Sequence, residues 1–358
     1  MGLLFSILII LISLAWLGLM LLNLIGVLAG SGERYTKGPR GRVLVIIPCK
    51  GRDVTLEQNL LSVKRQNYRN MQIIAVVDSA DDQAIGAIRR ARINCIVAAK
   101  RHEGGSGKVT AIITAMRRFR DFDIYVVIDS DVQCARDHVS RLVAPLSDRK
   151  VGVATTYPYF NPVRGFWSKV KMAWGFVGNG MMESTVTRFV WGGSMAFRKS
   201  LIDSSDFKLF QRALSDDIAV AHFAKEKGLG ITYVNSHSIT VNADDNFQAF
   251  WEWSNRQTAL SILGNRKVLR YGLLFYFAQA LTLLSGIILS LRSLWYLILL
   301  LPFAIGIIKM YSRAKRPYLA LLPISLIINF IFITNLVVGA RMREILWRGS
   351  RYRLRNPF

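Results

Sequence analysis

Cysteine and acidic residues are scarce in this sequence, and each scarcity excludes a class of protein. The chain has only three cysteines in 358 residues, and none lies in a CxxC pair or near a histidine at metal-binding spacing. Neither a disulfide scaffold nor a zinc site is therefore expected, and Cys49, Cys95 and Cys134 are predicted to be inert core thiols in a reducing compartment. The sequence also lacks internal repeats, low-complexity tracts and long linkers.

The shortage of acidic residues leaves a large positive charge. The chain has 23 acidic and 47 basic residues, which gives a net charge of +24. No basic stretch is interleaved with aromatic residues and no nucleic-acid-binding motif is present, so nucleic acid is not the predicted partner. Anionic lipid headgroups and a phosphorylated substrate explain the charge better.

Hydrophobic residues make up 52% of the chain and are concentrated in four long runs. These runs are Leu3–Ala29, Gly272–Leu291, Leu294–Met310 and Tyr318–Ala340. Their lengths are typical of transmembrane helices, which excludes a soluble protein. The first run has no Lys or Arg before it and exceeds the core of a signal peptide, so we expect a retained membrane anchor.

Basic residues next to these runs predict the orientation in the membrane. Arg34, Lys37, Arg40 and Arg42 follow the first run, and the tail 341–358 holds six arginines against one acidic residue. The positive-inside rule places both segments, and the large block between them, in the cytoplasm. The three C-terminal runs must then cross an even number of times, so one of them is expected to be re-entrant or interfacial. The sequence does not decide which.

Short apolar segments alternate with helical patterns in the block between the first and second runs. The strand-like segments are Val43–Pro48, Gln72–Val77, Asn94–Ala98, Ile124–Ile128 and Val151–Thr156. The helical patterns are Thr55–Gln66, Gln83–Ala91, Lys108–Phe119 and Arg136–Leu146. This rhythm predicts an α/β domain with a doubly wound, mostly parallel sheet, which binds ligands at the carboxyl ends of its strands.

Acidic residues follow two of the predicted strands. Asp78 comes directly after the second strand, and Asp129 and Asp131 follow the fourth. Clustered carboxylates repel one another unless a cation offsets their charge, and oxygen ligands suit Mg²⁺ or Mn²⁺. A divalent cation bound to a diphosphate is the functional interpretation. The alternative is that Asp78 caps the following segment and Asp129 begins a turn.

A glycine-rich turn, Gly104-Gly-Ser-Gly107, precedes Lys108 at the start of a predicted helix. It is not a P-loop, because His102 and Val109 stand where that motif requires Gly and Ser or Thr. Backbone N–H groups at the helix N-terminus, with the charge of Lys108, could still bind an anion. The alternative is a flexible connector.

Two adjacent aspartates, Asp216 and Asp217, begin another helical pattern. Ser215 or Asp216 is expected to cap the helix, which leaves Asp217 as the candidate general base for an acceptor hydroxyl. The alternative is that Asp217 only interacts with the helix dipole. Further on, Arg256 lies on an amphipathic segment, 246–263, where its planar guanidinium suits either a lipid phosphate or a substrate diphosphate.

Seven segments carry a resemblance to a known family. They are Pro48-Cys-Lys50-Gly51-Arg-Asp53, Asp78-Ser-Ala-Asp81-Asp82, Asp129-Ser-Asp131, Pro158-Tyr159 with Arg164-Gly165-Phe166, Gly193-Ser194 with Arg198-Lys199, Ser215-Asp216-Asp217, and the tail from Trp347 to Arg355. Together they resemble the membrane-bound inverting family 2-type glycosyltransferases, and most closely the ceramide glucosyltransferase family, glycosyltransferase family 21. The likeness runs from about Val43 to Arg355.

The resemblance implies a GT-A-like (Rossmann-like) domain tethered to a transmembrane helix bundle. It implies that Asp78 binds the nucleotide, that Asp129 and Asp131 bind the diphosphate and its metal, and that Asp217 is the catalytic base. The predicted substrate-binding residues are Pro48, Lys50, Asp78, Lys108, Asp129, Trp191, Gly192, Gly193, Asp216, Trp253, Arg256 and Gln257. The sequence departs from one family motif, which consists of Gln or Arg, any two residues and then Arg-Trp. Only its Arg is present here, as Arg256, and this argues against a processive polymer synthase.

We therefore expect transfer of a single hexose, glucose from UDP-glucose, to the hydroxyl of a ceramide-like or other membrane lipid, with Mn²⁺ or Mg²⁺ as cofactor. The expected domains are an anchor (1–31), a cytosolic GT-A domain (32–245), an amphipathic interface region (246–270), a transmembrane block (271–340) and a basic cytosolic tail (341–358). A polyprenyl-phosphate glycosyltransferase is the first alternative. A lipid-binding scaffold without activity is the second.

Overall fold

The computed structural model describes residues 41–235, 239–355 and 358, together with residues 7–9, 11–14, 16, 18, 21–22, 24–25 and 28. Most of the predicted anchor and the basic residues Arg34, Lys37 and Arg40 lie outside this part of the chain, so the anchor and its orientation remain predictions. The described residues between 7 and 28 are helical.

The strands are β1 Val43–Cys49, β2 Met71–Val77, β3 Asn94–Val97, β4 Ile124–Ile128, β5 Val132–Cys134, β6 Val151–Thr155, β7 Tyr159–Pro162, β8 Ser194–Arg198, β9 Gly230–Tyr233, β10 Ile239–Ala243, β11 Glu344–Trp347 and β12 Ser350–Arg353. The α-helices are α1 Leu56–Lys64, α2 Ile85–Arg90, α3 Gly107–Arg118, α4 His138–Val143, α5 Phe166–Glu183, α6 Phe207–Phe210, α7 Asp216–Glu226, α8 Phe247–Gly264, α9 Lys267–Ser290, α10 Leu301–Arg313 and α11 Leu321–Arg341. Short 3₁₀ helices span Ala144–Ser147, Lys199–Leu201 and Leu294–Leu300.

These elements form two compact units. The sheet unit comprises the described residues of Gly32–Asn161, Arg188–Ala243 and Arg343–Phe358. The helical unit comprises those of Met1–Ser31, Pro162–Thr187 and Asp244–Met342. Helix α5 thus packs with the apolar helices, although the sequence boundaries assigned it to the GT-A domain. The basic tail packs with the sheet.

A seven-stranded sheet in the order β3-β2-β1-β4-β8-β6-β9 organises the sheet unit. The pairs β1–β2, β1–β4, β2–β3 and β6–β9 are parallel, which confirms the predicted doubly wound, mostly parallel sheet. Strands β1 and β4 are almost completely buried, because apolar helices cover both faces of such a sheet. All five predicted strands and all four predicted helices are present, with ends shifted by a few residues.

Strand β8 is the main element that the sequence pattern missed. It pairs antiparallel with both β4 and β6 in the middle of the sheet. Its five residues end in Arg198 and show neither alternation nor a long apolar run, so periodicity gives little signal.

Among the cysteines, Cys95 is exposed, which corrects its prediction as a core thiol.

The helical unit is held together by aromatic and polar contacts. Trp174 of α5 stacks on Phe332 of α11, and Phe332 stacks on Tyr276 of α9 with ring centroids 4.5 Å apart. Asn335 is fully buried on α11; it donates to Asn255 Oδ1 at 2.8 Å and accepts from Trp174 Nε1. Because buried polar groups in apolar surroundings need partners, this network fixes how the helices pack.

Two helices of the described chain, α9 and α11, are long and apolar enough to cross a membrane. The middle apolar run is broken instead. The 3₁₀ helix Leu294–Leu300 and helix α10 meet at a bend of 40°, so they form a third candidate only if the bent pair counts as one span. The predicted amphipathic segment is helix α8, capped by Asn246, whose side chain accepts from Ala249 N.

Candidate active site

The carboxyl ends of three neighbouring strands carry the first group of predicted site residues. Strand β1 lies between β2 and β4, so the residues that follow these strands meet at one edge of the sheet. Lys50 follows β1, and its ammonium lies 2.9 Å from the carboxylate of Asp78 after β2. Asp129 follows β4, and its backbone N–H donates to Gly193 O at 2.9 Å. The structure therefore places Lys50, Asp78 and Asp129 around one cavity, while their part in substrate binding remains a prediction.

Lys108 is buried at the start of α3 and holds two carboxylates. The helix is capped by Ser106, whose side chain accepts from Val109 N, so the glycine-rich turn is an ordered helix start. The Lys108 ammonium lies 2.7 Å from Asp129 and 3.1 Å from Asp216, and it donates to Gly192 O at 3.1 Å. Its charge is thus committed to protein carboxylates in this structure.

The three charges shift one another's titration. Burial raises the pKa of Asp129 and that of Asp216, while the nearby Lys108 lowers both. Burial alone would lower the pKa of Lys108, but Asp129 and Asp216 outweigh it and raise the pKa. One ammonium cannot neutralise two carboxylates, so the cluster retains an excess negative charge that favours a cation or a proton.

Close packing brings the predicted Trp191-Gly-Gly segment against this cluster. A Cβ atom on Gly192 would stand 2.8 Å from Asp216 Oδ2, and one on Gly193 would stand 2.2 Å from the Trp191 ring. A larger residue at either position would have to displace these groups. Trp191 is held by its backbone N–H, which donates to Thr155 Oγ1, and by an edge contact between its ring and that of Tyr157.

The two adjacent aspartates at the start of α7 have different environments. Ser215 is the N-cap residue, and Asp216 is the first helical residue, buried and paired with Lys108. Asp216 is therefore not the helix cap that one sequence interpretation proposed. Asp217 is half-buried, and its carboxylate accepts from Gly192 N at 3.2 Å, from Ile218 N at 2.8 Å and from Ser215 Oγ.

The C-terminal hairpin β11–β12 also reaches the site, and the predicted site residues did not include it. Arg348 at its turn donates to Asp53 Oδ1 at 2.6 Å and to Lys50 O. Ser350 accepts from the ammonium of Lys50 at 3.1 Å. The match of the tail to the family was the only sequence signal, because contacts between residues about 300 positions apart leave no periodicity to read.

A small cavity lies between these groups. It encloses about 60 Å³ and is lined by Pro48, Cys49, Lys50, Asp78, Gly107, Lys108, Ala111, Asp129, Ser130, Trp347, Arg348 and Tyr352. A larger cavity of about 610 Å³ elsewhere on the sheet unit is bordered by Arg198. That arginine already donates to the carbonyl groups of Leu146, Asp148, Arg149 and Val151, so we place the chemistry at the strand ends.

The donor set of this edge suits a hard divalent cation. Asp129 lines the cavity, and the charge of Asp131 acts on Arg348, which lines it too. No group of three acidic, histidine or cysteine side chains with metal geometry occurs among the described residues. Mg²⁺ is commonly held by one or two carboxylates, with substrate phosphates completing the coordination.

Three predicted site residues belong to the helical unit. Trp253, Arg256 and Gln257 lie on α8, where the Trp253 ring contacts Trp174 at 4.8 Å and the Lys171 ammonium at 4.6 Å. Their part in substrate binding remains a prediction.

Comparison with known proteins places this fold. The mannosyltransferase PcManGT of Pyrobaculum calidifontis, solved with GDP-Man and Mn²⁺, matches with a TM-score of 0.55 and 18% identity over 93% of this chain and 96% of its own. The glucosyl-3-phosphoglycerate synthase of Mycobacterium tuberculosis, solved with Mn²⁺ and UDP-glucose, matches at 0.41 and 15% over 63% of this chain and 79% of its own. The sheet unit has the predicted GT-A fold.

Sequence comparison identifies the family. An N-acetylglucosaminyltransferase of Bradyrhizobium elkanii is 34% identical over 118 residues, which are 31% of this chain and 62% of that relative. The chain thus spans about three fifths of that relative's length. The model described as glycosyl transferase family 21 matches residues 6–357, so the chain belongs to glycosyltransferase family 21.

Proposed function

We propose that this glycosyltransferase moves a single glucosyl unit from UDP-glucose to the hydroxyl of a membrane lipid, with inversion at the anomeric carbon. The observation that carries the proposal is the half-buried Asp217 carboxylate beside the ion cluster of Lys108, Asp129 and Asp216. A base that remains accessible next to a charge-tuned donor site is the arrangement that direct displacement by a hydroxyl requires.

Strand-end residues would hold the donor. Asp78 would bind the nucleoside, and Asp129 and Asp131 would hold Mn²⁺ or Mg²⁺ together with the diphosphate. When bound, the cation offsets the negative charge that develops on the leaving diphosphate. Lys108 keeps Asp129 oriented at the strand end through its 2.7 Å ion pair.

Asp217 would remove the proton from the acceptor. As the hydroxyl oxygen forms its bond to the anomeric carbon, the bond from that carbon to the diphosphate breaks and UDP leaves with the electron pair. The hydroxyl proton passes to the carboxylate of Asp217. Asp216 is a poorer candidate, because its carboxylate is only 4% exposed and is paired with Lys108. The backbone N–H groups of Gly192 and Ile218 keep Asp217 in place.

The membrane would deliver the acceptor. The chain leaves the sheet unit after Ala243 and returns to it at Arg343, so any crossings between these points must be even in number. Helices α9 and α11 supply two candidates, and Gly272 at the start of α9 packs on Leu336 near the end of α11, as expected for an antiparallel pair. This supports two crossings, by α9 and α11, with the bent middle segment not crossing. The proposed cytoplasmic location of the sheet unit rests on the basic tail 341–358 and the positive-inside rule.

The donor sugar and the acceptor are tested together. The purified full-length chain, in lipid vesicles with Mn²⁺, is incubated with UDP-glucose or UDP-N-acetylglucosamine and with either ceramide or a polyprenyl phosphate. The second donor is included because one relative is named an N-acetylglucosaminyltransferase. Mass spectrometry should show a lipid product one hexose heavier, formed from UDP-glucose and ceramide.

The other results decide between the alternatives. A product only on polyprenyl phosphate would replace the hydroxyl acceptor with a phosphate, for which Asp217 is not needed as a base. A product only from UDP-N-acetylglucosamine would change the donor sugar. If no combination releases nucleotide, the result would support a binding scaffold without activity. A scaffold of that kind would be expected to lose the acidic residues at the strand ends, and this chain has all of them.

A further inference from the structure

The hairpin β11–β12 places one arginine next to the predicted cation site. Arg348 donates to Asp53, whose other oxygen accepts from Ser130 Oγ at 2.6 Å. Ser130 is the central residue of the Asp129-Ser-Asp131 segment. The guanidinium is therefore attached, through Asp53, to the loop that carries both predicted metal ligands.

The charge of Arg348 interacts with these acids. Burial alone would lower the pKa of Arg348, but Asp53, Asp131 and Asp129 outweigh it and raise the pKa. The side chain is still 32% exposed, so a ligand in solution can reach it. Arg348 lines a cavity of about 60 Å³. Pockets for small molecules enclose roughly 300 Å³ or more, so this cavity is smaller than a pocket that holds a bound nucleotide.

The hairpin itself is anchored on the sheet unit at several points. The Lys50 ammonium donates to Ser350, and the Arg101 guanidinium lies over the Tyr352 ring at 5.1 Å. Beyond it, Phe358 stacks on His222 of α7 with ring centroids 4.4 Å apart. The position of Arg348 is therefore defined by the fold of the tail.

We infer that Arg348 is a donor-site residue that exchanges partners: it pairs with Asp53 beside the Asp129-Ser-Asp131 segment before donor binding, and it pairs with the donor diphosphate when a divalent cation binds Asp129 and Asp131. This rests on the proposed use of a nucleoside diphosphate donor. A bare cation at Asp129 would lie in the same cavity as the guanidinium and be repelled by its charge. A cation that arrives with a diphosphate brings a new anion, and a guanidinium binds phosphate oxygens with two parallel hydrogen bonds. Arg348 thus favours joint binding of cation and nucleotide over binding of the cation alone.

Calorimetry on the full-length protein in detergent tests the exchange. MnCl₂ alone and UDP in saturating MnCl₂ are titrated into wild type, Arg348→Ala and Arg351→Ala. Arg351 is the control, because it is an exposed arginine on the same hairpin. Arg348→Ala should bind Mn²⁺ alone about tenfold more tightly and UDP about ten- to a hundredfold more weakly, the range for a charged hydrogen-bond pair. Arg351→Ala should match wild type in both titrations.

The affinities for Mn²⁺ and for UDP are expected to change in opposite directions, and this distinguishes the inferred role of Arg348 from a purely structural one. If Arg348 only fastened the hairpin, its loss would weaken both affinities or neither, and an unchanged or weaker Mn²⁺ affinity overturns the exchange. Arg348→Gln, which keeps a donor for Asp53 but no charge, must show the same pair of changes, and it serves if the alanine variant does not fold. Failure of wild type to bind UDP in Mn²⁺ would instead contradict the proposed function.

Discussion

The ammonium of Lys108 lies 3.1 Å from the carboxylate of Asp216, and this contact joins the start of helix α3 to the start of helix α7. The same ammonium is 2.7 Å from Asp129 at the end of β4. A single buried cation therefore connects the predicted cation site to the helix that carries the predicted base. The geometry of the two halves of the site depends on one charge.

Removing that charge should destabilise the protein in a pH-dependent way. Lys108→Met leaves the buried carboxylate of Asp216 and the partly exposed carboxylate of Asp129 without a cation. Loss of the partner of a buried charge costs about 3–5 kcal/mol, and the exposure of Asp129 puts the expected loss at the lower end of that range. Burial already raises the pKa of both carboxyl groups, so the folded variant holds protons that the unfolded chain releases. Its stability should therefore fall as pH rises, and thermal melting should show a larger loss at pH 8 than at pH 5.

The matched control is Lys225→Met on α7, an exposed lysine. It removes the same charge and should change the melting temperature little at either pH. Adding Asp216→Asn to Lys108→Met should restore part of the lost stability, because one of the two orphaned charges disappears. Equal losses for Lys108→Met and Lys225→Met would contradict a buried ion cluster.

The close approach of Gly192 to Asp216 gives a second prediction. A methyl group on Gly192 would meet Asp216 Oδ2 at 2.8 Å, so Gly192→Ala must displace the carboxylate from Lys108. We expect a loss of about 1–3 kcal/mol in chemical denaturation, the usual cost of overpacking. Gly86→Ala is the control: it lies within α2 with its nearest contact at 3.5 Å, and it should gain about 0.5–1 kcal/mol.

His138 should make stability depend on pH below neutrality. Burial lowers the pKa of His138 to about 4, and its Nε2 lies 2.8 Å from Ser194 Oγ. Between the unfolded pKa of about 6.5 and this value the unfolded chain binds more protons, so stability is present above that window and is lost as pH falls through it. The total loss is roughly 3 kcal/mol.

Denaturation of His138→Gln at pH 7 and pH 4.5 should show a smaller difference than wild type. His102→Gln, which removes a histidine near the glycine-rich turn, should retain the wild-type difference. A His138→Gln variant with the full wild-type pH dependence would show that the imidazole titrates freely in the folded state.

Sequence reasoning located the strand ends but not the groups that arrive from elsewhere. The positions of Asp78 and Asp129 were predictable, because the residues that follow parallel strands lie at one edge of the sheet. The partner of Asp216 was not predictable. Lys108 was expected to attract a ligand, but it pairs with the carboxylates of Asp129 and Asp216. Nor was the position of Arg348 predictable, because its contact with Asp53 joins positions 295 residues apart and depends on how the tail folds back. Local patterns specify elements, while such pairings depend on the tertiary fold.

The packing of the tail on the sheet unit predicts its side of the membrane. Single reporter cysteines at the exposed positions Arg69 and Arg355, in a chain without its native cysteines, should be labelled from the same side of oriented vesicles. A reporter at Arg292, just after α9, should be labelled from the opposite side because α9 is a candidate span. Labelling of all three from one side would mean that α9 does not cross.

Replacement of the two adjacent aspartates tests the proposed mechanism most directly. Gly192 N and Ile218 N donate to different oxygens of the Asp217 carboxylate, so Asp217→Asn retains an acceptor for one of them and loses the other bond, at a cost of about 1 kcal/mol. The variant should still fold and bind UDP. Turnover should fall by roughly 10²–10⁴, the usual contribution of a positioned general base. The rate of the wild type should decrease as the carboxylate is protonated, and the variant should lack this limb of the pH profile.

Asp216→Asn is the matched comparison, because it makes the same chemical change one residue away. The variant leaves Lys108 paired with Asp129, so we expect its free energy of unfolding to fall by only about 1 kcal/mol. Its pH profile should retain the acidic limb. If Asp217→Asn keeps more than about a tenth of wild-type turnover while a folded Asp216→Asn is inactive, the two roles are reversed. If both variants remain active, the acceptor needs no base, and a phosphate lipid becomes the better substrate because its oxygen is already ionised.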